Sequence, residues 1–424
     1  MSSSPPSRES EEDQLVLIGD RDSDGRLLFG GVSFQGRIPE RIIEAVIRDN
    51  EWWLIPESVA LLRQLQAQLR SLECSPSALP LSQPSQEDPL WSAFCRWYRL
   101  DWSQIPWLHG EIFLYRLLLS LAHGSPDRPS LLDPPPCSPD IFALQKQSAT
   151  TQALPAMAQL LLASHSDLAD ARPRFRHHLL ASLWGNQADL ALFSVTEAGM
   201  ARQRHLLIDQ VDNIYDHLVQ ANRETEEAQV LVDFVLDNSG MELFSDLLLC
   251  RHLLGSGLCT RVRLHLKDSP FFVSDTTSED LHWLLRCLRD QTHAPALAAF
   301  AEDIQALLLA PSGIAVTTDP FWTSPLEFRD LPAHLSQSLS QAHLSIVKGD
   351  LNYRRLVGDR HFSPHTPFSL RAGYFPASVA ALRTNKSALI CGLPEADQLD
   401  ISQLPADWLV SGDYAVINFL LKTS

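Results

Sequence analysis

Short apolar runs alternate with helical patterns through the C-terminal half of the chain. Residues 230–236 form an apolar, β-branched run that is typical of a buried parallel strand. A helical pattern follows over residues 242–254. Residues 261–267 alternate as in a strand, and Thr276-x-x-Glu279 is typical of a capping box that opens the next helix. This succession predicts a sheet with helices packed against it.

The pattern of the N-terminal half predicts mainly helix. Apolar residues recur at helical intervals over 39–47, 59–72, 112–121, 157–163 and 175–184, and the same character continues over 206–223. The stretch 124–138 is crowded with proline and is expected to be a loop. The chain is therefore expected to have a mainly helical first part and an α/β second part.

Polar side chains with ligand chemistry follow the predicted strands. Asp237 and Asn238 come directly after the first run, and Asp275 lies in the next loop between strand and helix. Ligands of open α/β sheets bind beyond the carboxyl ends of the strands, so these side chains are expected on one rim. Their oxygens suit a hard cation such as Mg²⁺ or Mn²⁺. For the Asp-Asn pair alone, a turn that only caps a helix is the alternative.

Two further loops supply cationic side chains. The apolar run 344–347 ends in a glycine turn, and another polar segment stands just before the apolar run 387–391. The residues concerned are Lys348, Asp350, Asn352 and Arg354 in the first loop and Lys386 in the second. Oxygen ligands from two loops and cations from two others are what a metal-bound phosphate requires.

Four motifs appear in a fixed order: Asp237-Asn238-Ser239-Gly240-x-Glu242-x-x-x-Asp246, Phe272-Val273-Ser274-Asp275, Lys348-Gly349-Asp350-Leu351-Asn352-Tyr353-Arg354 and Arg383-Thr384-x-Lys386. Trp107-Leu108-x-Gly110-Glu111-x-x-x-Tyr115-Arg116 and Trp184-Gly185-Asn186-x-x-Asp189-Leu190 precede them. Together they resemble the damage-control phosphatase family (DUF89), in the eukaryotic-type branch with the Arg-Thr-x-Lys element. The resemblance implies a Rossmann-like α/β/α sandwich domain over residues 226–424. A mainly helical domain over residues 14–225 and a disordered tail over residues 1–13 would precede it.

The resemblance also implies the site residues. The metal ligands fall on Asp237, Asn238 and Asp275, which would hold Mn²⁺ or Mg²⁺, with Co²⁺ or Ni²⁺ as substitutes. Catalytic roles fall on these three residues and on Lys386. The substrate contacts fall on Glu242, Lys348, Asp350, Leu351, Asn352, Tyr353, Arg354 and Lys386. The expected reaction is hydrolysis of a sugar phosphomonoester of the fructose 1-phosphate or fructose 6-phosphate type, in metabolite damage control.

Two other functions stay open on the sequence. The first is methyl transfer from S-adenosylmethionine to protein carboxylates, although the usual Gly-rich loop after a first strand is missing from the sequence. The second is binding of sugar phosphates without catalysis. Single residues have local alternatives too: Glu242 as a partner of the helix dipole, Tyr353 as core packing and Lys386 as a solvated lysine.

The route of hydrolysis is indicated by one position. Phosphatases of the haloacid dehalogenase type place a second acid two residues after the nucleophilic aspartate, and this chain has Ser239 there. This favours direct attack by water over a covalent phosphate on Asp237.

The composition of the chain limits the kinds of partner that it is expected to bind. A net charge of −17 argues against binding of nucleic acids or anionic membranes, since both need a basic face. Seven scattered cysteines fit a reducing compartment, and the first 13 residues lack the apolar core of a signal peptide. No stretch reaches transmembrane length without charge or proline. We expect a cytoplasmic protein whose partner is a small sugar phosphate, and a monomer by default.

Overall fold

The computed structural model describes residues 14–79, 89–123, 139–164, 170–185, 205–224, 229–395 and 399–422. The predicted tail 1–13, the predicted loop 124–138 and residues 186–190 of the Trp184 motif lie outside these ranges. Within them, no helix is long and apolar enough to cross a membrane.

Short helices of the N-terminal part pack around a core of their own. They are α1 (Phe29–Val32), a π-helix (Ser33–Ile43), α2 (Glu44–Asp49), α3 (Pro56–Ser71), 3₁₀ turns at Pro76–Ala78, Ser92–Arg96 and Trp102–Gln104, and α4 (Trp107–Ala122). Pro56 opens α3, where its missing N–H leaves no helical bond unmade. Phe271 and Leu351 from the C-terminal part also enter this core. The two parts therefore share one packed interface.

The described strands form one seven-stranded sheet in the order β1-β7-β6-β5-β2-β3-β4. They are β1 (Leu206–Asp209), β2 (Leu231–Val235), β3 (Arg261–Leu266), β4 (Ile314–Thr318), β5 (Leu344–Lys348), β6 (Val379–Thr384) and β7 (Ala415–Leu420). Strands β2 to β6 run parallel. β7 pairs with β6 antiparallel and with β1 parallel. The central strands β2 and β5 are buried almost throughout, which explains why most of their residues are apolar.

Helices cover both faces of this sheet. One layer holds α5 (Ala143–Ser164), α6 (Ala171–Trp184), α7 (Val211–Glu224), α8 (Met241–Gly255), α9 (Ser278–Arg289) and α10 (Pro295–Leu309). The other holds α11 (Ala333–Leu339), α12 (Gly349–Val357), α13 (Phe368–Ala372) and 3₁₀ turns at Pro320–Thr323 and Phe328–Asp330. A further 3₁₀ turn spans Ile401–Gln403. Phe234 faces the first layer and Val235 the second, as alternation along a strand requires. The predicted α/β/α sandwich is confirmed.

The strand order creates a switch point between β2 and β5. From β2 the chain moves outward through β3 and β4, and it then returns to place β5 and β6 on the other side of β2. Loops that leave the carboxyl ends of β2 and β5 therefore diverge, and a crevice opens between them. Asp237 follows β2 and Asp350 follows β5, so both lie at this crevice.

Three details differ from the predicted elements. Residues 206–209 form β1 instead of the start of a helix because β7 offers a parallel partner, so the sheet begins before the predicted boundary at 226. The capping box lies one residue later, with Thr277 as N-cap and Asp280 as its partner. Lys386 follows the strand β6, whereas the apolar run 387–391 after it is irregular.

Candidate active site

A cavity of about 260 Å³ lies at the switch point. The loops after β2, β3, β5 and β6 meet there with the helical part of the chain. The lining residues are Asp237, Asn238, Phe272, Ser274, Asp275, Asp350, Leu351, Arg354 and Lys386 from the α/β part, and Phe29, Arg37, Trp107 and Glu111 from the helical part. The cavity thus brings the three predicted metal ligands together with Lys386.

Backbone hydrogen bonds join the two loops that carry the candidate metal ligands. Asn238 and Asp275 form an antiparallel bridge. The Ser239 N–H donates to the Ser274 carbonyl oxygen at 2.7 Å, and the Thr276 N–H donates to the Asp237 carbonyl oxygen at 2.8 Å. The loops are therefore held in one register, and their side chains are preorganised as a set.

The amide group of Asn238 is oriented by its neighbours. Its Nδ2 donates to Asp237 Oδ2 at 2.7 Å and to Glu242 Oε2 at 2.8 Å. Its Oδ1 accepts from Ser274 Oγ at 2.5 Å. Because the carboxylates take the amide protons, the amide oxygen is turned away from them, toward Ser274 in the cavity wall. Glu242 does not line the cavity, so the structure gives it a positioning role.

Gly349 leaves the space that Asp237 occupies. A Cβ at this position would lie 2.0 Å from Asp237 Oδ2, and the residue has a φ of +81°. Both the close approach and the left-handed backbone require glycine. The turn between β5 and α12 therefore fixes where the first candidate ligand can stand.

The donor set fits a hard divalent cation. Burial raises the pKa of Asp237 well above its usual value, and the nearby carboxylates of Asp275 and Glu242 add to the rise. Burial also raises the pKa of Asp275, although Lys267, with its Nζ 3.2 Å from Asp275 Oδ2, opposes the rise. A bound cation would favour the ionised form of both acids. No three His, Cys, Asp or Glu side chains of the described ranges are grouped for a metal, so the set is two carboxylates and an amide oxygen.

Lys386 differs from the other cations of the site. It is exposed at the cavity, and in the described ranges no carboxylate forms an ion pair with its ammonium group. Asp350 anchors its loop, since Asp350 Oδ1 accepts from the Lys386 N–H at 3.2 Å, from Arg383 Nε at 2.7 Å and from Ser387 Oγ at 2.9 Å. The ammonium group is therefore available for an anionic ligand.

Arg354 lines the cavity but is already neutralised. Its Nε and Nη2 each donate to Asp359 at 2.9 Å, and its Nη1 donates to Glu111 at 3.0 Å. Two carboxylates thus hold the guanidinium group, and its first role is to position Glu111 and Asp359.

Besides Glu242, three predicted substrate contacts lie outside the cavity lining. Lys348 is buried, and its Nζ donates to the Ser182 carbonyl oxygen at 2.5 Å and to Asp246 Oδ1 at 2.8 Å, with Glu242 Oε1 at 3.2 Å. Asn352 Nδ2 donates to the carbonyl oxygens of Leu236 and Lys348. Tyr353 is packed in the core of the second helical layer. The polar groups of Lys348, Asn352 and Tyr353 are therefore directed to partners within the protein and not into the cavity.

Sequence reasoning missed several residues that shape the site. Lys267 follows β3 as Asp237 follows β2, so its position after a strand was a usable signal. Lys146 reaches from α5 and donates to the Asp275 carbonyl oxygen at 2.9 Å. Arg37 lies in the π-helix of the N-terminal part, and nothing in the local sequence pattern places it near Asp237.

Backbone strain marks the loop before Asp275. Phe272 and Val273 have φ angles of 44° and 66°. Left-handed backbone is rare for a β-branched residue, and strain of this kind costs about 1–3 kcal/mol per residue. The ring of Phe272 stacks on Tyr115 with centroids 4.4 Å apart, so contact with α4 helps to hold the loop. The strain places Ser274 and Asp275 at the cavity.

Comparisons with known proteins agree with these motifs. The damage-control phosphatase ARMT1-like domain matches residues 38–401. The chain is 31% identical to damage-control phosphatase ARMT1 of Danio rerio over 345 residues, 76% of this chain and 74% of that protein. It is 28% identical to the Xenopus laevis protein of the same name, over 83% of this chain and 84% of that one. A DUF89 family protein from Pyrococcus horikoshii, solved by crystallography, is similar with a TM-score of 0.48 and 12% identity, over 92% of this chain and 97% of that one. Since the domain match spans most of the 424 residues, the chain belongs to the damage-control phosphatase ARMT1-like family.

Proposed function

We propose that this protein is a divalent-metal-dependent phosphatase that hydrolyses sugar phosphomonoesters, with fructose 1-phosphate and fructose 6-phosphate as the first candidates. Its family supports phosphatase activity in metabolite damage control. The metal and the sugar are our inference. One observation supports it most: the oxygen donors of Asp237, Asn238 and Asp275 line the same cavity as Lys386, whose ammonium group forms no ion pair with a carboxylate of the described ranges.

Asp237, Asn238 and Asp275 would hold the metal ion, either Mn²⁺ or Mg²⁺. When bound, such an ion polarises a phosphoryl oxygen as a Lewis acid. Glu242 and Lys348 act behind these ligands. Lys348 holds Glu242, and Glu242 accepts from the amide of Asn238, which keeps its oxygen turned outward. Removal of either support would loosen a ligand without touching the substrate.

Lys386 would bind the phosphoryl group from the side opposite the acidic residues. Negative charge spreads over the phosphoryl oxygens as the bond to the sugar oxygen breaks, and a fixed ammonium group stabilises that charge. Asp350 keeps the Lys386 loop in place through its bond to the Lys386 N–H. Water attacks phosphorus, the phosphorus–oxygen bond to the sugar breaks, and the products are inorganic phosphate and the free sugar.

Direct attack by water also agrees with the position of Ser239. Its N–H donates to the Ser274 carbonyl oxygen, and the residue lines a neighbouring cavity next to Lys146. The route through a phosphorylated Asp237 would need a second acid at position 239 to protonate the leaving group. Ser239 supplies no such acid.

Phosphate release from a panel of sugar phosphates tests the proposal. We expect turnover with Mn²⁺ or Mg²⁺ and none with EDTA, and full recovery when metal is restored. Turnover that persists in EDTA contradicts the metal requirement. If no sugar phosphate is hydrolysed and labelled S-adenosylmethionine transfers its methyl group to a protein acceptor, the methyltransferase alternative replaces this proposal. Binding without turnover would favour the non-catalytic alternative.

A further inference from the structure

We propose that Arg37 and Glu111 form a subsite for the hydroxyl-bearing end of the substrate, away from the scissile phosphate. This inference rests on the proposed function, and it assigns the sugar specificity of that reaction to the helical part of the chain. Both residues line the cavity, and neither belongs to the candidate metal set or to the Lys386 loop.

Arg37 offers an unpaired guanidinium group at the helical side of the cavity. It is exposed, and no carboxylate of the described ranges forms an ion pair with it. It is presented by the π-helix Ser33–Ile43, and π-helical turns are rare and concentrated at functional sites. Its donors are therefore free for oxygen atoms of a ligand.

Glu111 offers a fixed acceptor beside Arg37. Its side chain on α4 is buried, and Glu111 Oε2 accepts from Arg354 Nη1 at 3.0 Å. Asp359 holds the same guanidinium group, which also lies 3.9 Å from the centroid of the Trp107 ring. Asp359 and the Trp107 ring hold Arg354 in place, so Arg354 in turn keeps Glu111 from moving aside for a different ligand.

The cavity therefore has two chemically different ends. The α/β part lines the cavity with Lys386 and the candidate metal ligands, whereas the helical part lines it with Arg37 and Glu111. A phosphate dianion at the Glu111 end would meet a buried carboxylate. Sugar hydroxyl groups can donate to that carboxylate and accept from Arg37 at once.

The walls between the two ends suit a sugar as well. Phe29, Trp107 and Leu351 supply apolar surface for the carbon–hydrogen faces of the ligand. Gly30 permits the approach of the Trp107 ring, since a Cβ there would lie 2.9 Å from Trp107 Cδ2. At about 260 Å³ the cavity is smaller than most pockets for drug-sized ligands, so it fits a small metabolite.

The test compares Arg37→Gln and Glu111→Gln with the control Arg41→Gln. Arg41 is exposed on the same π-helix but does not line the cavity. Each variant is assayed with fructose 1-phosphate and with p-nitrophenyl phosphate, which has no hydroxyl groups. We expect kcat/KM for fructose 1-phosphate to fall roughly 10–100-fold in Arg37→Gln and Glu111→Gln, the loss of one hydrogen bond to a charged group. The values for p-nitrophenyl phosphate, and both values for Arg41→Gln, should change less than about threefold.

Equal losses on both substrates would overturn the subsite, and so would no loss on either. Glu111→Gln also alters the buried pair with Arg354, so its melting temperature is compared with that of the parent chain. If Glu111→Gln unfolds, the result for Arg37→Gln, at an exposed residue, decides whether the subsite exists. Calorimetric titration with fructose 1-phosphate separates this inference from the proposed function. If the parent chain binds without turnover, weaker binding by Arg37→Gln than by Arg41→Gln still supports the subsite, and equal binding overturns it. No binding and no turnover with any sugar phosphate would overturn both.

Discussion

Substitution of Gly349 by alanine would test whether the turn after β5 sets the position of Asp237. The new Cβ would lie 2.0 Å from Asp237 Oδ2 and 2.2 Å from its Cγ. These atoms cannot share that space, so the carboxylate must retreat by about 1.5 Å to reach ordinary contact. Rotation of the Asp237 carboxylate would break the hydrogen bond from Asn238 Nδ2 to its Oδ2 at 2.7 Å, and the Thr276 N–H holds the backbone of Asp237 through the carbonyl oxygen.

Two costs are expected and can be separated. The left-handed backbone alone penalises alanine by about 1–2 kcal/mol. Displacement of the carboxylate should add a loss of metal affinity of roughly 10–100-fold, as is typical when the support of a ligand is disturbed. A shift of about 1 Å in a catalytic site can also lower kcat by roughly 10²-fold.

Gly257→Ala is the matched control. Gly257 has a φ of +72°, close to that of Gly349, but nothing lies within 4 Å of its added Cβ. Gly257→Ala should therefore lose only the stability that the left-handed backbone costs alanine. Urea unfolding, calorimetric titration with Mn²⁺ and steady-state kinetics are compared for the two variants. If Gly349→Ala binds Mn²⁺ and turns over as well as Gly257→Ala, the turn does not set the position of Asp237 and the reasoning is refuted.

Four further substitutions, at Lys386, Asp237, Asp275 and Lys348, test the cations and the ligands. Lys386→Met should lower kcat on sugar phosphates by roughly 10²–10³, with a smaller change in KM. The control Lys422→Met removes an exposed ammonium group away from the cavity and should not lower kcat. An unchanged kcat in Lys386→Met would exclude contact of Lys386 with the phosphoryl group. Asp237→Ala and Asp275→Ala should each abolish Mn²⁺ binding and phosphate release, whereas Asp319→Ala, at the end of β4 and outside the cavity lining, should retain both. Retention of Mn²⁺ affinity by either cavity variant would remove that residue from the ligand set. Lys348→Met should lower the free energy of unfolding by about 3–5 kcal/mol, since Asp246 and Glu242 lose their buried partner. The double variant Lys348→Met, Asp246→Asn should recover part of that stability, because it removes one of the two unpaired charges. An unchanged urea midpoint in the single variant would contradict this.

Much of the fold could be predicted because its signals are local. β2 and β5 are buried almost throughout, so their sequences are nearly continuous apolar runs that need no tertiary information to recognise. β1 escaped prediction for the opposite reason. It has four residues, and only pairing with β7, more than 200 positions later, makes it a strand.

The position of the candidate metal ligands was also predictable. Asp237, Asn238 and Asp275 each follow a strand of one parallel sheet, and parallel strands end on the same edge. The order of residues along the chain was therefore enough to place these side chains at one cavity. Lys386 was assigned to the same cavity, although it follows strand β6 and the apolar run 387–391 after it is irregular.

The function of the cations was harder to predict because charge partners are chosen by tertiary contacts. Lys348 and Lys386 both stand in motifs, the first as the last residue of β5 and the second just after β6. Asp246 and Glu242 pair with Lys348, whereas no carboxylate of the described ranges pairs with Lys386. Burial alone would lower the pKa of Lys348, but those two acids outweigh it and the pKa ends above its usual value. A lysine in that position stays charged and stabilises the fold, whereas an unpaired one can bind substrate. Arg354 and Arg37 repeat the contrast at the other end of the cavity. Glu111 and Asp359 pair with the motif residue Arg354, whereas no carboxylate in the described part of the chain pairs with Arg37, which lies outside the motifs. The pairing of each cation, which depends on residues distant in sequence, therefore separates the residues proposed to bind substrate from those that support them.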